Sequence, residues 1–217
     1  MKKQKGGDKE MKKLIALGLF LVLSIPSFAQ ETQTETIPIS AEIPLVEGLS
    51  VGISRVDISV NPQTGQVTEN WVPGQSEINF GTLYFDETWG IWRANCYYVV
   101  DVGVDTNADN WTLQYEASDL TDGKGHFLNN NVNVRFRKMI KQNGNDVEAA
   151  NLGDYSYGMK SNSFTKFQLG DGWLRIYYGI ATGSGDAPGV EVITMDKPAG
   201  TYTGTITLTL TIAPEEE

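Results

Sequence analysis

Residues 206–212 read Ile-Thr-Leu-Thr-Leu-Thr-Ile, so that apolar side chains and threonines alternate with a period of two. In an extended strand this period places the apolar residues on one face and the threonines on the other. One apolar face and one polar face are typical of a strand in an antiparallel sheet that is packed on one side only. The stretch therefore predicts a half-buried β-strand near the end of the chain.

The same alternation recurs through the middle of the chain, where turn signals such as Asn61-Pro62, Pro73-Gly74, Asp122-Gly123 and Asn143-Gly144 separate the runs. The residues that share the predicted inner face are Tyr98, Val100, Val102 and Val104; Trp111, Leu113 and Tyr115; Val132, Val134 and Phe136; and Leu174, Ile176, Tyr178 and Ile180. No long segment has helical periodicity. We therefore expect an all-β domain over residues 47–213, an antiparallel β-sandwich that is immunoglobulin-like or jelly-roll-like, with a closed β-barrel as the alternative.

The start of the chain has the pattern of a secretory signal peptide. Lys12 and Lys13 precede an apolar run over residues 14–25, and the small-residue site Ser27-Phe28-Ala29 follows. The run is too short for a resident membrane helix, so no membrane insertion is expected after cleavage. We predict a leader over residues 1–29 with Met11 as the natural start, and a mature protein that is extracellular, bound to the cell surface or periplasmic.

The predicted mature chain is strongly acidic. The leader takes six lysines and two acidic residues from the 17 basic and 27 acidic side chains, which leaves 11 and 25 and a net charge of about −14. The one basic cluster, Arg135, Arg137, Lys138 and Lys141, is too small to offset this charge. The balance argues against nucleic acid and against anionic membranes as partners.

Cys96 is the single cysteine, so the chain has no disulfide of its own. A small buried thiol is the first interpretation, and an intermolecular disulfide is the alternative. No cysteine directly follows the predicted leader, so we do not expect a lipid anchor. The chain ends in the acidic tail 214–217.

Residues 30–46 connect the leader to the first predicted strand. They begin with a Thr/Glu-rich lead-in and continue with a mostly apolar stretch over residues 36–46. This stretch has two open interpretations, an edge strand of its own sheet or a strand donated to a neighbouring copy. Pro38 and Pro44 confine it to an edge in either case.

Three stretches together carry a family resemblance. They are Ile78-Asn79-Phe80-Gly81-Thr82-Leu83, the aromatic strand pair over residues 97–116, and Pro198-Ala199-Gly200-Thr201-Tyr202-Thr203-Gly204-Thr205-Ile206-Thr207-Leu208. They resemble secreted bacterial surface β-sandwich domains of the spore-coat-U and fimbrial-subunit-like type, and the triplet Trp111-Thr112-Leu113 is similar to that of the WxL-type surface domains. The resemblance implies a structural or adhesive role outside the cell, with subunits joined by strand exchange.

The sequence offers no recognisable catalytic group. His126 is the one histidine and lies in a turn-like Gly-rich stretch, so neither a histidine-based triad nor a typical zinc site is expected. No spacing singles out a pair of carboxylates for glycoside hydrolysis. We therefore expect a protein that is not an enzyme and has no cofactor, apart from the calcium site considered next.

The side chains of Asp105, Asn107 and Asp109 have the D-x-N-x-D spacing of calcium-binding loops. Glu116 falls at the twelfth position, but Asn110 replaces the glycine that such loops require at the sixth. Residues 111–116 alternate as a strand, so no helix follows. A hairpin turn with Asx hydrogen bonds is the competing interpretation.

Exposed aromatic residues provide the second candidate site. Trp71, Trp89 and Trp92 could stack on sugar rings, with Trp71 placed in a loop before Pro73-Gly74 and the other two on opposite faces of one strand. Trp111 is in phase with Leu113, so we assign it to the core.

The sequence thus predicts a secreted structural or adhesive protein whose partners are other copies of itself or other surface proteins. The alternative is a carbohydrate-binding module with glycans as ligands. A planar pair of exposed aromatic residues on one face would favour sugar, and an open edge strand would favour assembly.

Overall fold

The structure is a computed structural model, and it describes residues 47–61 and 63–213. The predicted leader 1–29, the segment 30–46 and the acidic tail 214–217 lie outside the described residues, so what is said of them above stays a prediction. No helix in the described part is long and apolar enough to cross a membrane.

The described residues form twelve β-strands and almost no helix, as predicted for an all-β protein. The strands are β1 (Glu47–Val60), β2 (Val67–Gln75), β3 (Tyr84–Asp86), β4 (Ile91–Arg93), β5 (Cys96–Thr106), β6 (Trp111–Ala117), β7 (Val132–Gln142), β8 (Asn145–Ser156), β9 (Ser161–Thr165), β10 (Trp173–Ile180), β11 (Ile193–Thr194) and β12 (Ile206–Ile212). One short helix, α1 (Lys166–Leu169), precedes β10. Single 3-10 turns span Asn129–Asn131 and Tyr157–Met159.

The strands form three antiparallel sheets. The large sheet has the order β2-β1-β5-β10-β7-β8, the small sheet has the order β12-β6-β9, and a third sheet of short strands has the order β11-β4-β3. The large and small sheets pack face to face as a sandwich. The sheets are not closed into a barrel, because β2 and β8 end the large sheet without pairing to each other. The closed barrel, our alternative, is therefore wrong.

The core lies between the large and small sheets and contains the predicted inward-facing residues. Phe136 of β7 is central, with its ring centroid 5.2 Å from that of Tyr115 on β6 and 5.1 Å from that of Phe164 on β9. Trp111 and Cys96 are both buried, as predicted. Burial of these aromatic and aliphatic side chains removes apolar surface from water, which is the main stabilising contribution in a domain without a disulfide.

An irregular segment and the third sheet cover one end of the core. Phe80 makes an edge-to-face contact with Tyr98, centroids 5.5 Å apart, and the Tyr98 hydroxyl donates a 2.6 Å hydrogen bond to the carbonyl of Asn79. Residues 78–83 form no strand, in contrast to the early strand that the family resemblance implies.

Candidate functional site

The small sheet does not cover the whole inner face of the large one. Phe164 packs on Phe136, so β9 lies above β7, and β12, at the other end of the small sheet, lies toward β5 and β1. Val51 of β1 pairs directly with Val102 of β5. Val102 is fully buried, whereas Val51 is 50% exposed. The cover of the inner face therefore ends between these two strands.

Apolar side chains line the place where the cover ends. Leu49 pairs with Val104 and is also on the inner face of β1, where it is 37% exposed. On β12, the inward residues Leu210 and Ile212 are only half-buried, although they pack against the core. We call the surface formed by Leu49, Val51, Leu210 and Ile212 the edge surface. Its side chains are as apolar as those of the core, but the part of the chain that the structure describes covers them only in part.

The backbone of β12 is paired on one side only among the described residues. Its partner is β6, with Leu210 opposite Leu113. The residues before and after β12 also bond toward that side, since Thr203 bonds with Thr121 and Ala213 donates to Asn110. An exposed edge of this kind presents unpaired N–H and C=O groups to another strand.

A second surface lies on the outer face of the large sheet, where four aromatic residues from three strands gather. They are Trp71 of β2, Tyr97 of β5, and Trp173 and Tyr177 of β10, and we call them the outer aromatic surface. Beneath it Val56 and Val99 are almost completely buried, although no second sheet of the described part covers them. The rings of Tyr97 and Tyr177 lie 6.3 Å apart in a tilted arrangement.

Arg175 is at the centre of the outer aromatic surface. Its guanidinium lies 5.7 Å from the ring centroid of Trp71 and 5.9 Å from that of Trp173. Its Nε and NH2 donate hydrogen bonds of 2.7 and 2.8 Å to the two carboxylate oxygens of Asp101. The hydrogen bonds from Arg175 to Asp101 raise the pKa of the guanidinium above its usual value. Arg175 is 8% exposed and fixed in position.

Further polar contacts hold the neighbouring rings. The indole Nε1 of Trp173 donates a 2.9 Å hydrogen bond to Asp101, and the ammonium of Lys141 lies 5.8 Å from the Trp173 ring centroid. Lys141 and Arg175 both pair with Asp146, and their hydrogen bonds, that of Lys141 above all, hold the pKa of its carboxyl below the usual value. Cation–π contacts with partly desolvated rings are worth about 1 kcal/mol each.

Tyr97 of this surface is half-buried and lies beside Glu69. Burial and, to a smaller extent, a hydrogen bond with Glu69 raise the pKa of Tyr97, so its hydroxyl stays protonated at neutral pH. Beside Arg175 the outer face is open at Gly52, which lies directly opposite Asp101, because a Cβ added there would meet no atom within 4 Å. Gly52 therefore leaves open space over the sheet opposite Asp101, the partner of Arg175.

The structure separates the three tryptophans that the sequence proposed together. Trp71 is in strand β2 and not in a loop, and it is 44% exposed. Trp89 lies in the turn between β3 and β4 and is 70% exposed, with Arg93 5.8 Å from its ring centroid. Trp92 lies in β4 and packs on Phe85 in the third sheet. Trp89 and Trp92 therefore do not share a strand, and Trp71 alone belongs to the outer aromatic surface.

The residues proposed for calcium lie where two sheets connect. Asp105 is the next-to-last residue of β5 in the large sheet, while Asn107 and Asp109 are in the turn that leads to β6 in the small sheet. The turn is therefore a connection between sheets and not the predicted hairpin. Lys166 brings a positive charge to it, with Nζ 2.7 Å from the carbonyl of Ala108 and 3.6 Å from the Asp109 carboxylate. No cluster of three or more His, Cys, Asp or Glu suited to a metal is found among the described residues. The calcium site remains a prediction.

Comparison with known proteins identifies no relative. No protein-family model matches the chain. No curated protein matches it in sequence. The function has to be argued from the two surfaces.

Trp173 and the tyrosines are among the aromatic residues that the sequence offers for sugar binding, but the three tryptophans predicted for the site do not include Trp173, and Tyr97, Arg175 and Tyr177 are not singled out, although the sequence contains one signal for them. Leu174, Ile176 and Tyr178 were placed in the core by their alternation. Trp173, Arg175 and Tyr177 occupy the alternate positions of the same strand, so the sequence predicts that its outer face is aromatic and charged.

Proposed function

We propose that the chain is a secreted, non-enzymatic structural or adhesive protein of a bacterial cell surface or extracellular assembly, and that its copies join by strand addition at the edge surface. The observation that carries the proposal is the exposure of Val51 on β1 beside the fully buried Val102 on β5, together with the edge of β12, which is unpaired among the described residues. One more strand beside β12 would cover Leu49 and Val51. Exposed apolar surface of this kind marks interaction sites.

The segment 37–45 has the pattern such a strand requires. Its apolar side chains occupy alternate positions, so that an extended backbone presents them on one face: Ile37, Ile39, Ala41, Ile43 and Leu45. Pro38 and Pro44 both belong to the opposite phase. Because the N–H groups of successive strand residues point to opposite sides, both prolines remove donors from the same side. The other side keeps all of its donors for pairing with β12.

The direction of the strands favours a neighbouring copy as the source. β1 begins at the end of the sandwich where β12 ends, since Glu47 pairs with Thr106 and Ile212 pairs with Trp111 just beyond the connecting turn. A segment that leads into β1 from its own chain would have to run parallel to β12 and cross between the sheets. All strand pairs in the described part are antiparallel. A neighbouring copy can present the segment in the antiparallel direction.

The test compares two aspartate substitutions that differ only in phase. In the mature chain from Gln30, Ile43→Asp places a charge on the apolar face of the segment, and Ser40→Asp places one on the polar face. We expect molar mass from light scattering to rise with concentration for the wild type and for Ser40→Asp, and to stay at one copy for Ile43→Asp. A wild type that stays monomeric, or equal effects of the two substitutions, would overturn the proposal.

A mixing experiment identifies the acceptor. Val51→Lys disables the edge surface and leaves the segment 37–45 intact, whereas Ile43→Asp does the reverse. Each variant alone should be monomeric, and an equimolar mixture should stop at the two-copy complex. Longer assemblies, or no complex at all, would show that Val51 is not part of the acceptor.

A further inference from the structure

We propose that the outer aromatic surface, Trp71, Tyr97, Trp173 and Tyr177 around Arg175, binds a neutral oligosaccharide chain. This site lies on the opposite face of the large sheet from the edge surface, so the inference does not depend on the proposed assembly. Three observations support the inference: the composition of this face, the fixed positions of its side chains and the pairing of its charged groups.

The composition is unlike that of the other solvent-facing sheet surface of the same molecule. The outer face of the small sheet contains only small or polar side chains, namely Thr112, Gln114, Glu116, Thr207, Thr209 and Thr211. Both faces meet water, so solubility alone does not account for indole and phenol rings on one of them. Of the twelve large apolar side chains exposed in the described part, four are on the outer face of β1 and β2: Ile58, Val60, Val67 and Trp71. Exposed apolar patches bordered by polar groups mark binding sites.

The side chains are held in place before any ligand arrives. Asp101 fixes both Arg175 and Trp173 by hydrogen bonds of 2.7 to 2.9 Å. Arg175 in turn lies between the rings of Trp71 and Trp173. Rigid rings lose little conformational entropy on binding, which favours affinity for a flat, weakly interacting ligand.

The charged side chains of this surface are already paired with one another, which favours a ligand without charge. Arg175 and Lys141 are already paired with carboxylates, and so is the adjacent Arg137, whose guanidinium lies 2.6 Å from the carboxylate of Asp154. An anionic ligand would have to displace these carboxylates and leave them unpaired. A sugar ring has C–H groups that pack on an aromatic face and hydroxyls that both donate and accept. It can therefore bond to the acidic and basic groups at once.

The dimensions fit a short chain of sugar units. The surface extends from β2 to β10, three strand spacings or about 14 Å. Gly52 on β1 lies between β2 and β10 in the strand order, has an ordinary backbone conformation, and has no atom of the described residues within 4 Å of the place a Cβ would take. A linear oligosaccharide would lie across the strands with rings stacked near Trp71 and near Trp173.

The test uses an array of neutral oligosaccharides of glucose, xylose, mannose, galactose and N-acetylglucosamine, followed by calorimetric titration of the best binder. We expect Trp71→Ala to weaken binding about tenfold or more, and Gly52→Leu to weaken it by filling the open space over Gly52. Trp89→Ala removes a more exposed tryptophan from the third sheet and should leave affinity unchanged. The thermal melt of each variant checks that it is folded.

Several outcomes would overturn the inference. One is the absence of binding to any neutral oligosaccharide on the array, and another is binding confined to sulfated or sialylated sugars added as comparison. Equal affinity of Trp71→Ala and wild type would place the sugar elsewhere. Capture of a protein through Trp71 without any sugar binding would assign this surface to a protein partner instead.

Discussion

Asp101 and Arg175 join the two central strands of the large sheet by two parallel hydrogen bonds, 2.7 and 2.8 Å long, on a face that none of the other sheets among residues 47–61 and 63–213 covers. The same carboxylate accepts the indole N–H of Trp173 at 2.9 Å. One side chain therefore sets the position of a cation and of a ring on the neighbouring strand. Removing it would leave an almost buried guanidinium with Asp146 as its remaining acidic partner.

We expect Asp101→Ala to lower the free energy of unfolding by about 2–3 kcal/mol, because Arg175 and the Trp173 indole would lose their shared acceptor. Urea unfolding followed by tryptophan fluorescence measures the change. Asp109→Ala is the control, since Asp109 is largely exposed and its nearest cation, Lys166, is 3.6 Å away, so its loss should cost less than about 0.5 kcal/mol. Equal effects of the two substitutions would contradict the assigned role.

The pH dependence of stability should contain a contribution from Asp122. A hydrogen bond with His126, 2.7 Å long, is the main cause that lowers the pKa of Asp122 to about 2. Because this pKa is lower in the folded protein than in the unfolded chain, the carboxylate stabilises the fold at pH values above about 4. That stabilisation is lost as the pH falls from about 4 to about 2. Carbon-detected NMR titration should give the low pKa. Asp122→Asn should reduce the change in melting temperature with pH over this range. A pKa near 4 would contradict the prediction.

The pattern of 206–212 identified a strand and its inner face, and the structure confirms both. It could not predict that Leu208, Leu210 and Ile212 would be only half-buried, because that depends on how far the opposite sheet extends. The alternation of β10 likewise indicated two faces, but the partner of Arg175 is 74 residues away at Asp101. Pro73-Gly74, which follows Trp71, predicts a loop there, but the structure has Trp71 in strand β2. The edge strand β2 tolerates that proline where an inner strand would not.

Cys96 should react slowly with a thiol reagent in the native protein. Its side chain is 3% exposed, and burial raises the pKa of the thiol, so little thiolate is present at neutral pH. Ellman's reagent should label the native protein much more slowly than the protein in urea, which would react within the mixing time. Immediate native labelling, or a disulfide-linked dimer on a non-reducing gel, would favour the alternative of an intermolecular disulfide.

Leu113 and Leu210 are a matched pair for measuring how complete the core is beneath the small sheet. They lie directly opposite each other on β6 and β12, but Leu113 is fully buried and Leu210 is half-buried. In dilute protein, Leu113→Ala should cost about 3–4 kcal/mol and Leu210→Ala about half as much, because the second removes less buried surface and leaves no closed cavity.

The dependence of stability on protein concentration distinguishes an ordinary edge strand from an edge strand that accepts a strand from another copy. Any partner that binds only the folded state raises its apparent stability as concentration rises. The cost of Leu210→Ala should therefore grow with protein concentration, while that of Leu113→Ala stays nearly constant. Chemical unfolding at several concentrations between the monomer and the assembled state measures both costs. If the cost of Leu210→Ala stays constant while the wild type assembles, copies join somewhere other than β12.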